Sequence, residues 1–261
     1  MKPLKLKSSL LMMALILSGF LSTTTASTLS DGIMESESSI VSDDGPVTFI
    51  QEENYPVPEG KELIQIMVMR HGKPLLEKKK KYTWKEAEEY IRAYDTVGVE
   101  TFEATTVCIP DGVNELYCSN LGRSISTAKF IAKDSLPLVS DKKFREFERQ
   151  ILRIPSIKMP LSFWLVTARI PWIFGSDEIE SLAEAKRRSD EVAKFLDESA
   201  RTEKRTMLVA HGFLNRFLEK SLKKEGWQQV RKGGHDYLAV SIYTKLVDKQ
   251  DDLENQKLKT N

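Results

Sequence analysis

Residues 63–74 read LIQIMVMRHGKP: a nearly unbroken apolar run that ends abruptly in Arg70, His71 and Gly72. An apolar run without alternation is the pattern of a strand buried on both faces, as strands are when helices cover a parallel sheet from either side. In such sheets ligands gather beyond the carboxyl ends of the strands, where the helix N-termini also point. The polar triplet falls at that position. Two other stretches repeat the arrangement. Thr206–Ala210 is a second apolar run and leads into His211-Gly212, and Glu115–Cys118 leads into Ser119-Asn120-Leu121-Gly122-Arg123. Helical periodicity fills the intervals. A helix is predicted over 84–94, with Thr83 as its cap and Glu86 three places on, and others over 123–132 and 213–223. A longer amphipathic helix is predicted over 178–200, with Ile179, Leu182, Val192, Phe195 and Leu196 on its apolar face. Residues 237–243 read as the last strand. Strands alternating with helices of this length predict an α/β fold, a three-layer sandwich with a largely parallel central sheet flanked by helices.

The chain divides around this pattern. Lys2, Lys5 and Lys7 precede an apolar run from Leu10 to Leu21, and small residues follow to Ala26, which is the layout of a signal peptide at 1–26. The run is shorter than the roughly 17–25 residues of a spanning helix. Export, to a periplasm or the outside, with cleavage near Ala26 is therefore expected. Residues 27–60, rich in Ser, Asp and Glu, read as a linker or surface arm, 61–247 as the catalytic domain and 248–261 as a polar tail. The formal charge of +1 moves close to neutral once the three lysines leave, and no basic stripe for nucleic acid is visible. Lys78–Lys81 is the only dense basic run and reads as a solvated face. The two cysteines, Cys108 and Cys118, flank the turn Pro110-Asp111-Gly112. An oxidising compartment allows a disulfide there, while the narrow geometry of such a bridge favours two buried thiols.

The residue types at the strand ends suit one chemistry. Two arginines and two imidazoles offer many donors to a dianion, and guanidinium forks match phosphate oxygens bidentately. A histidine free of metal is a competent nucleophile toward phosphorus. Metal binding is the rival use of the histidines, but it wants further ligands, and two neighbouring arginines repel a cation. No metal and no cofactor is expected.

The segments VMRHGKP, YCSNLGRSISTA and MLVAHGFLNRFL together resemble the histidine phosphatase superfamily, in its phosphoglycerate mutase-like branch. The similarity runs from about Leu63 to Tyr243, and 119–128 fits the family's Ser-x-Leu-x-Arg-[Ala/Ser]-x-x-Thr-Ala segment at every defined position. The resemblance implies that His71 is the nucleophile that becomes phosphorylated. It implies a phosphate pocket of Arg70, Arg123 and His211, and a general acid at Glu146, with Glu148 as the alternative two places on. The acid phosphatase branch uses a second arginine after its Arg-His-Gly and a late His-Asp pair. Lys73-Pro74-Leu75 lacks that arginine, and Gly233-Gly234 rather than an apolar strand precedes His235-Asp236, so His235 reads as a loop residue or a contact at the pocket rim.

Residues 149–175 carry three prolines and Phe163, Trp164, Trp172 and Phe174. They read either as a packing segment or as a lid with an apolar wall, and any membrane contact would run through 161–175. The expected protein is thus an exported, metal-independent phosphomonoesterase acting on a small-molecule phosphomonoester. The alternatives are a phosphoglycerate mutase-type phosphotransferase and a non-catalytic phospho-ligand-binding protein. Oligomeric state is not legible.

Overall fold

The computed structural model describes residues 47–102, 112–133, 135–174 and 178–249. In chain order the elements are β1 (Lys61–Arg70), α1 (Trp84–Thr96), β2 (Leu116–Ser119), α2 (Gly122–Ala132), β3 (Leu138–Asp141), α3 (Leu161–Thr167), α4 (Ile170–Phe174), α5 (Leu182–Glu203), β4 (Arg205–Ala210), α6 (Gly212–Lys224), β5 (Gln228–Arg231) and β6 (Val240–Asp248). Six strands form one sheet in the order β3-β2-β4-β1-β6-β5. β3, β2, β4 and β1 run parallel, and β6 is antiparallel to both β1 and β5. This is the largely parallel α/β sandwich expected from the apolar runs.

The run 63–69 is buried on both faces because helices cover both. Ile64, Ile66 and Val68 join Leu208 and Ala210 of β4 against Val192 and Leu196 of α5 and Leu214 and Leu218 of α6. Met67 and Met69 face the opposite way, with Leu116, Cys118, Met207 and Val209, against Ala128 and Ile131 of α2. Gln65 is the one polar residue inside this run, and it is buried. Its side-chain amide accepts from the Ile50 N–H at 2.9 Å and donates to the Ile50 carbonyl at 2.8 Å. That exchange ties down residues 47–50, part of the expected arm, and buries Phe49 and Ile50. Residues 27–46 lie outside the described residues, as do the signal-like segment and Cys108. Cys118 is a buried free thiol.

The sequence-based boundaries shift where a local signal overrides periodicity. The long helix begins at Leu182 rather than 178, because Ser181 and Glu184 form a reciprocal capping box there. Ile179 packs against the core from outside the helix. The last strand begins at Val240 rather than 237. Leu238 has a φ of 63°, a left-handed turn conformation that precludes strand pairing before it. β6 then runs on to Asp248, whose carboxylate pairs with Lys61 at 2.7 Å. β3 and β5 were not expected. They are the two edge strands, four residues each and half-exposed, so neither carries an apolar signature.

Within segment 149–175, the buried side chains up to Trp172 pack into the fold. Trp164 is fully buried in a cluster with Tyr82, Ala87, Ile151 and Ala168, and its indole N–H donates to the Tyr82 carbonyl at 2.9 Å. Trp172 is buried against Phe147 and Phe217. Both tryptophans point inward, away from the position a lid would need; the side chain of Phe174 is outside the described residues. Among the described residues no helix is long and apolar enough to cross a membrane.

The contact that fixes the entrance to the site is between the end of α1 and the start of α2. A Cβ on Gly122 would stand 2.2 Å from the Thr96 carbonyl oxygen, so only glycine lets the two helices meet this closely. Replacing Gly122 by Ala is expected to destabilise the protein by roughly 1–3 kcal/mol. Gly98→Ala, whose new methyl would meet only the Ser126 side chain at 3.3 Å, is expected to stay within about 0.5 kcal/mol of the parent. Urea unfolding of both variants checks this, and equal midpoints would refute the close approach.

Candidate active site

β1 and β4 are in register, with Arg70 opposite Ala210, so the residues that follow each strand, His71 and His211, emerge side by side. Their ring centroids are 5.2 Å apart, and both are buried. β2, next to β4, delivers Ser119 and then α2. Each residue type in the 119–128 segment has an identifiable contact. Ser119 Oγ accepts from the Leu121 N–H at 3.3 Å. Ser124 Oγ donates to the Val209 carbonyl at 2.7 Å and so ties α2 to β4. Thr127 Oγ1 donates to the Arg123 carbonyl at 2.7 Å and accepts from the Gly72 N–H at 2.8 Å. Thr127 therefore anchors the loop after β1 to the helix that carries Arg123.

Arg123 is 1% exposed. Its Nε donates to His71 Nε2 at 3.2 Å, and its Nη1 donates to the Tyr94 carbonyl and to Asp95 Oδ1, both at 2.8 Å. His71 Nδ1 lies 2.7 Å from the Gly72 carbonyl, which can only accept, so Nδ1 carries the proton and Nε2 the lone pair. The nitrogen available for chemistry thus faces the buried guanidinium.

Arg70 ends β1. Its Nη1 donates to the His235 carbonyl, and its guanidinium lies 4.5 Å over the Tyr237 ring. A Cβ on Gly212 would come within 3.3 Å of Arg70 Nε, so the glycine after His211 gives Arg70 room beside the start of α6. Among the described residues, Arg70 Nε and both ring nitrogens of His211 are buried without a hydrogen-bond partner. Buried polar atoms in that state are uncommon, and they cost free energy until something pairs with them.

Burial, reinforced by the Arg123 charge and then those of Arg70 and Arg149, lowers the His71 pKa to about 3. Burial and Arg123 likewise hold the His211 pKa well below the usual imidazole range. Burial also lowers the Arg123 pKa, against the pull of Asp95. The pocket therefore holds two neutral imidazoles among cationic guanidiniums.

Glu146 and Glu148, adjacent in sequence terms, separate in space because 145–150 is irregular rather than a strand. Glu146 accepts from the Phe213 and Leu214 N–H groups at 3.1 Å each, which places its carboxylate on the α6 N-terminus beside His211. Glu148 accepts from the Glu180 N–H at 2.8 Å. The loop bearing them is pinned by two arginines that sequence reasoning missed. Arg188 donates to the carbonyls of Lys143 and Arg145 at 2.8 Å, and Arg169 to those of Phe147 and Glu148 at 3.3 and 3.0 Å.

Arg70, His71, Arg123, Glu146 and His211 thus converge on the ends of β1, β2 and β4. His235 is exposed at the rim, its Nδ1 3.2 Å from Arg216. Its backbone carbonyl, not its ring, reaches the pocket. Lys78–Lys81 are exposed, as a solvated face requires, and Lys79 pairs with Glu86 at 3.0 Å. Tyr94, Asp95 and Tyr237 at the pocket were missed as well, since they carry no motif; only the position of Tyr94-Asp95 at a helix end hinted at them. Among the described residues no group of His, Cys, Asp and Glu is arranged to hold a metal ion.

No curated protein matches the chain. Among solved structures it is similar to a mycobacterial glucosyl-3-phosphoglycerate phosphatase, with 16% identity, a TM-score of 0.45, and coverage of 70% of this chain and 91% of that one. It is similar also to the ecdysone phosphate phosphatase of Bombix mori, with 12% identity, a TM-score of 0.43, and coverage of 71% and 92%. The family model described as histidine phosphatase superfamily (branch 1) matches residues 66–251, which take in β1 from Ile66, all three sequence motifs and the whole pocket. The chain belongs to the histidine phosphatase superfamily.

Proposed function

We propose that the protein is a phosphomonoesterase that passes the phosphoryl group of an ester to His71 and then to water. In the first step the Arg123 Nε–H turns from His71 Nε2 to a phosphoryl oxygen, the freed Nε2 lone pair forms a bond to phosphorus as the ester P–O bond breaks, and Glu146 gives the departing alkoxide its proton. In the second step water attacks the phosphohistidine and gives a proton to the Glu146 carboxylate as the P–N bond breaks, releasing inorganic phosphate and restoring both the imidazole and the carboxylic acid. Arg70, Arg123 and His211 hold the phosphoryl oxygens and carry the charge that develops in the flattened transition state.

The observation that carries this reading is the state of His71 Nε2: a lone pair 3.2 Å from Arg123 Nε, on an imidazole that burial and arginine charge keep neutral. The unpaired nitrogens of His211 and Arg70 Nε add three polar atoms suited to phosphate oxygens. Glu146 is favoured over Glu148 as the acid because it sits on the same helix start as His211. A pure phosphate binder has no use for a neutral nucleophilic imidazole beside a second one, and a mutase needs a clamp for its sugar acid that no residue here identifies. The chemistry needs no metal, since the guanidiniums supply the positive charge. We also propose export, supported by the basic-apolar-small layout of residues 2–26. N-terminal sequencing of the protein from its native source is expected to begin near Ser27; a start at Met1 would contradict it.

The decisive assay measures turnover of nitrophenyl and alkyl phosphates in the presence of a chelator. His71→Ala is expected to remove activity on both, and chelator to leave the parent unaffected. Glu146→Gln is expected to slow alkyl esters roughly 10²–10⁴-fold while largely sparing nitrophenyl phosphate, whose leaving group needs no proton, and Glu148→Gln to change either only a few-fold. Activity that survives His71→Ala, or that chelator abolishes, overturns the reading; binding of phosphate without turnover in the parent favours the binder.

The neutral imidazoles also set a pH dependence. His71 takes up its proton only near pH 3 when folded, but near its ordinary 6.5 when unfolded. Between those values the unfolded chain binds more protons, so the stability linked to His71 is fully present above pH 6.5 and is lost as pH falls toward 3. His211 acts in the same direction. Inorganic phosphate, whose charge offsets the arginines, is expected to slow that loss. Thermal melts from pH 7 to pH 4, with and without phosphate, check this, and a melting temperature flat over that range would contradict it.

A further inference from the structure

The pocket is roofed by two tyrosines that the chemistry above does not use. Tyr94, near the end of α1, meets the His71 ring edge-on at 6.1 Å, and Tyr237, from the loop before β6, tilts over it at 5.7 Å. Each also covers one pocket arginine, Tyr94 over Arg123 and Tyr237 over Arg70, both at 4.5 Å. An ester entering between these rings brings its phosphoryl oxygens to the guanidinium faces that the rings now cover. Charge-assisted hydrogen bonds to phosphate are stronger than the cation–π contacts they replace.

The organic part of the ester then lies against the rings. Among the described residues several clefts border the pocket, and a narrow one beside Arg70 runs past Arg216, Glu219 and Lys232 without touching either tyrosine; two others are larger. One, reaching Glu146 and Arg149, is lined mostly by charged side chains from 141–149 and 178–191, and neither tyrosine borders it. The other is bordered by both tyrosines, together with Pro74, Leu75, Leu76 and Tyr90, with Glu77 and Lys78 also on its edge. Its Lys73 and Glu100 neutralise each other at 2.8 Å. Leu75 is 63% exposed, an apolar side chain held in solvent at the cleft. Tyr90 stacks on Tyr94 at 6.1 Å and is braced by Tyr82 at 5.5 Å, so the aromatic wall continues back into the folded core.

We propose that Tyr94 and Tyr237 are the specificity-determining residues of this site, and that they select phosphomonoesters of flat, apolar alcohols, whose organic group enters between the two rings and lies in the aromatic cleft formed with Leu75 and Tyr90. This rests on the phosphatase reading. It moves the apolar wall from segment 149–175, where the tryptophans are committed to packing, to the loop after β1.

The test is the ratio of kcat/KM for naphthyl phosphate to that for glycerol phosphate, measured on one preparation of full-length protein. The ratio is independent of the folded fraction, and a substitution cannot alter the intrinsic reactivity of either ester. Tyr94→Ala and Tyr237→Ala are each expected to lower it at least about fivefold, and Tyr94→Phe and Tyr237→Phe, which keep the rings, to hold it within about twofold. Tyr90→Ala, farther from the phosphorus, is expected to lower it less. A ratio unchanged in both alanine variants, or a parent that prefers glycerol phosphate, overturns the aromatic selection and leaves His71-dependent hydrolysis standing. A parent that hydrolyses neither ester overturns both.

Discussion

The site is organised around one costly placement: a guanidinium, that of Arg123, taken almost completely out of water. A buried charge stays charged only if geometry and partners offset its lost hydration. The Asp95 carboxylate and the Tyr94 carbonyl do so at 2.8 Å each, and they can reach it only because α1 ends in contact with the start of α2, over the missing Cβ of Gly122. Thr127, one turn along from Arg123, then ties the same helix to the loop that bears His71. Thus the position of His71, the charge beside it and the tyrosine above it depend on a single helix–helix contact. The pairing is incomplete by design of the residues: three guanidinium bonds go to neutral or singly charged partners, and a dianion adds what they lack.

The sheet supplies the second constraint. Register between β1 and β4 sets Arg70 against Ala210, so the two strands end together and bring His71 and His211 out side by side. Slipping that register by one residue would turn Ile66 and Val68 toward the wrong layer and carry His71 away from its neighbour, so the core packing and the site geometry are enforced by the same apolar pattern.

That is why so much of the molecule was legible in the chain. LIQIMVM and TMLVA are unambiguous because both faces are buried, and the polar residues that follow them had to stand at the strand ends. Thr83 with Glu86 announced α1 through its capping chemistry. What escaped was carried by weaker signals. β3 and β5 lie at the sheet edges, where half the side chains face water and no apolar run is needed. Phe49 and Ile50 looked like part of a polar arm, because their anchor is a buried hydrogen-bond exchange with Gln65 that leaves no periodicity. Tyr94, Asp95 and Tyr237 reach the pocket from a helix end and a loop, and Arg169 and Arg188 act by holding carbonyls of an irregular segment. In each case the residue's importance depends on tertiary approach, which spacing along the chain does not encode. The two tryptophans of 149–175 are a conspicuous sequence feature that admitted both a packing and a lid reading, and their apolar bulk is spent on packing.

The central claim is that the lone pair on His71 Nε2 receives the phosphoryl group. Rapid quenching of the protein during turnover of a nitrophenyl phosphate, followed by peptide mass spectrometry under alkaline conditions, tests it directly. The expected result is a phosphate on the peptide containing His71, lost on brief exposure to acid as a phosphoramidate bond is. Turnover with no phosphorylated peptide, or with the phosphate on any other residue, would contradict it.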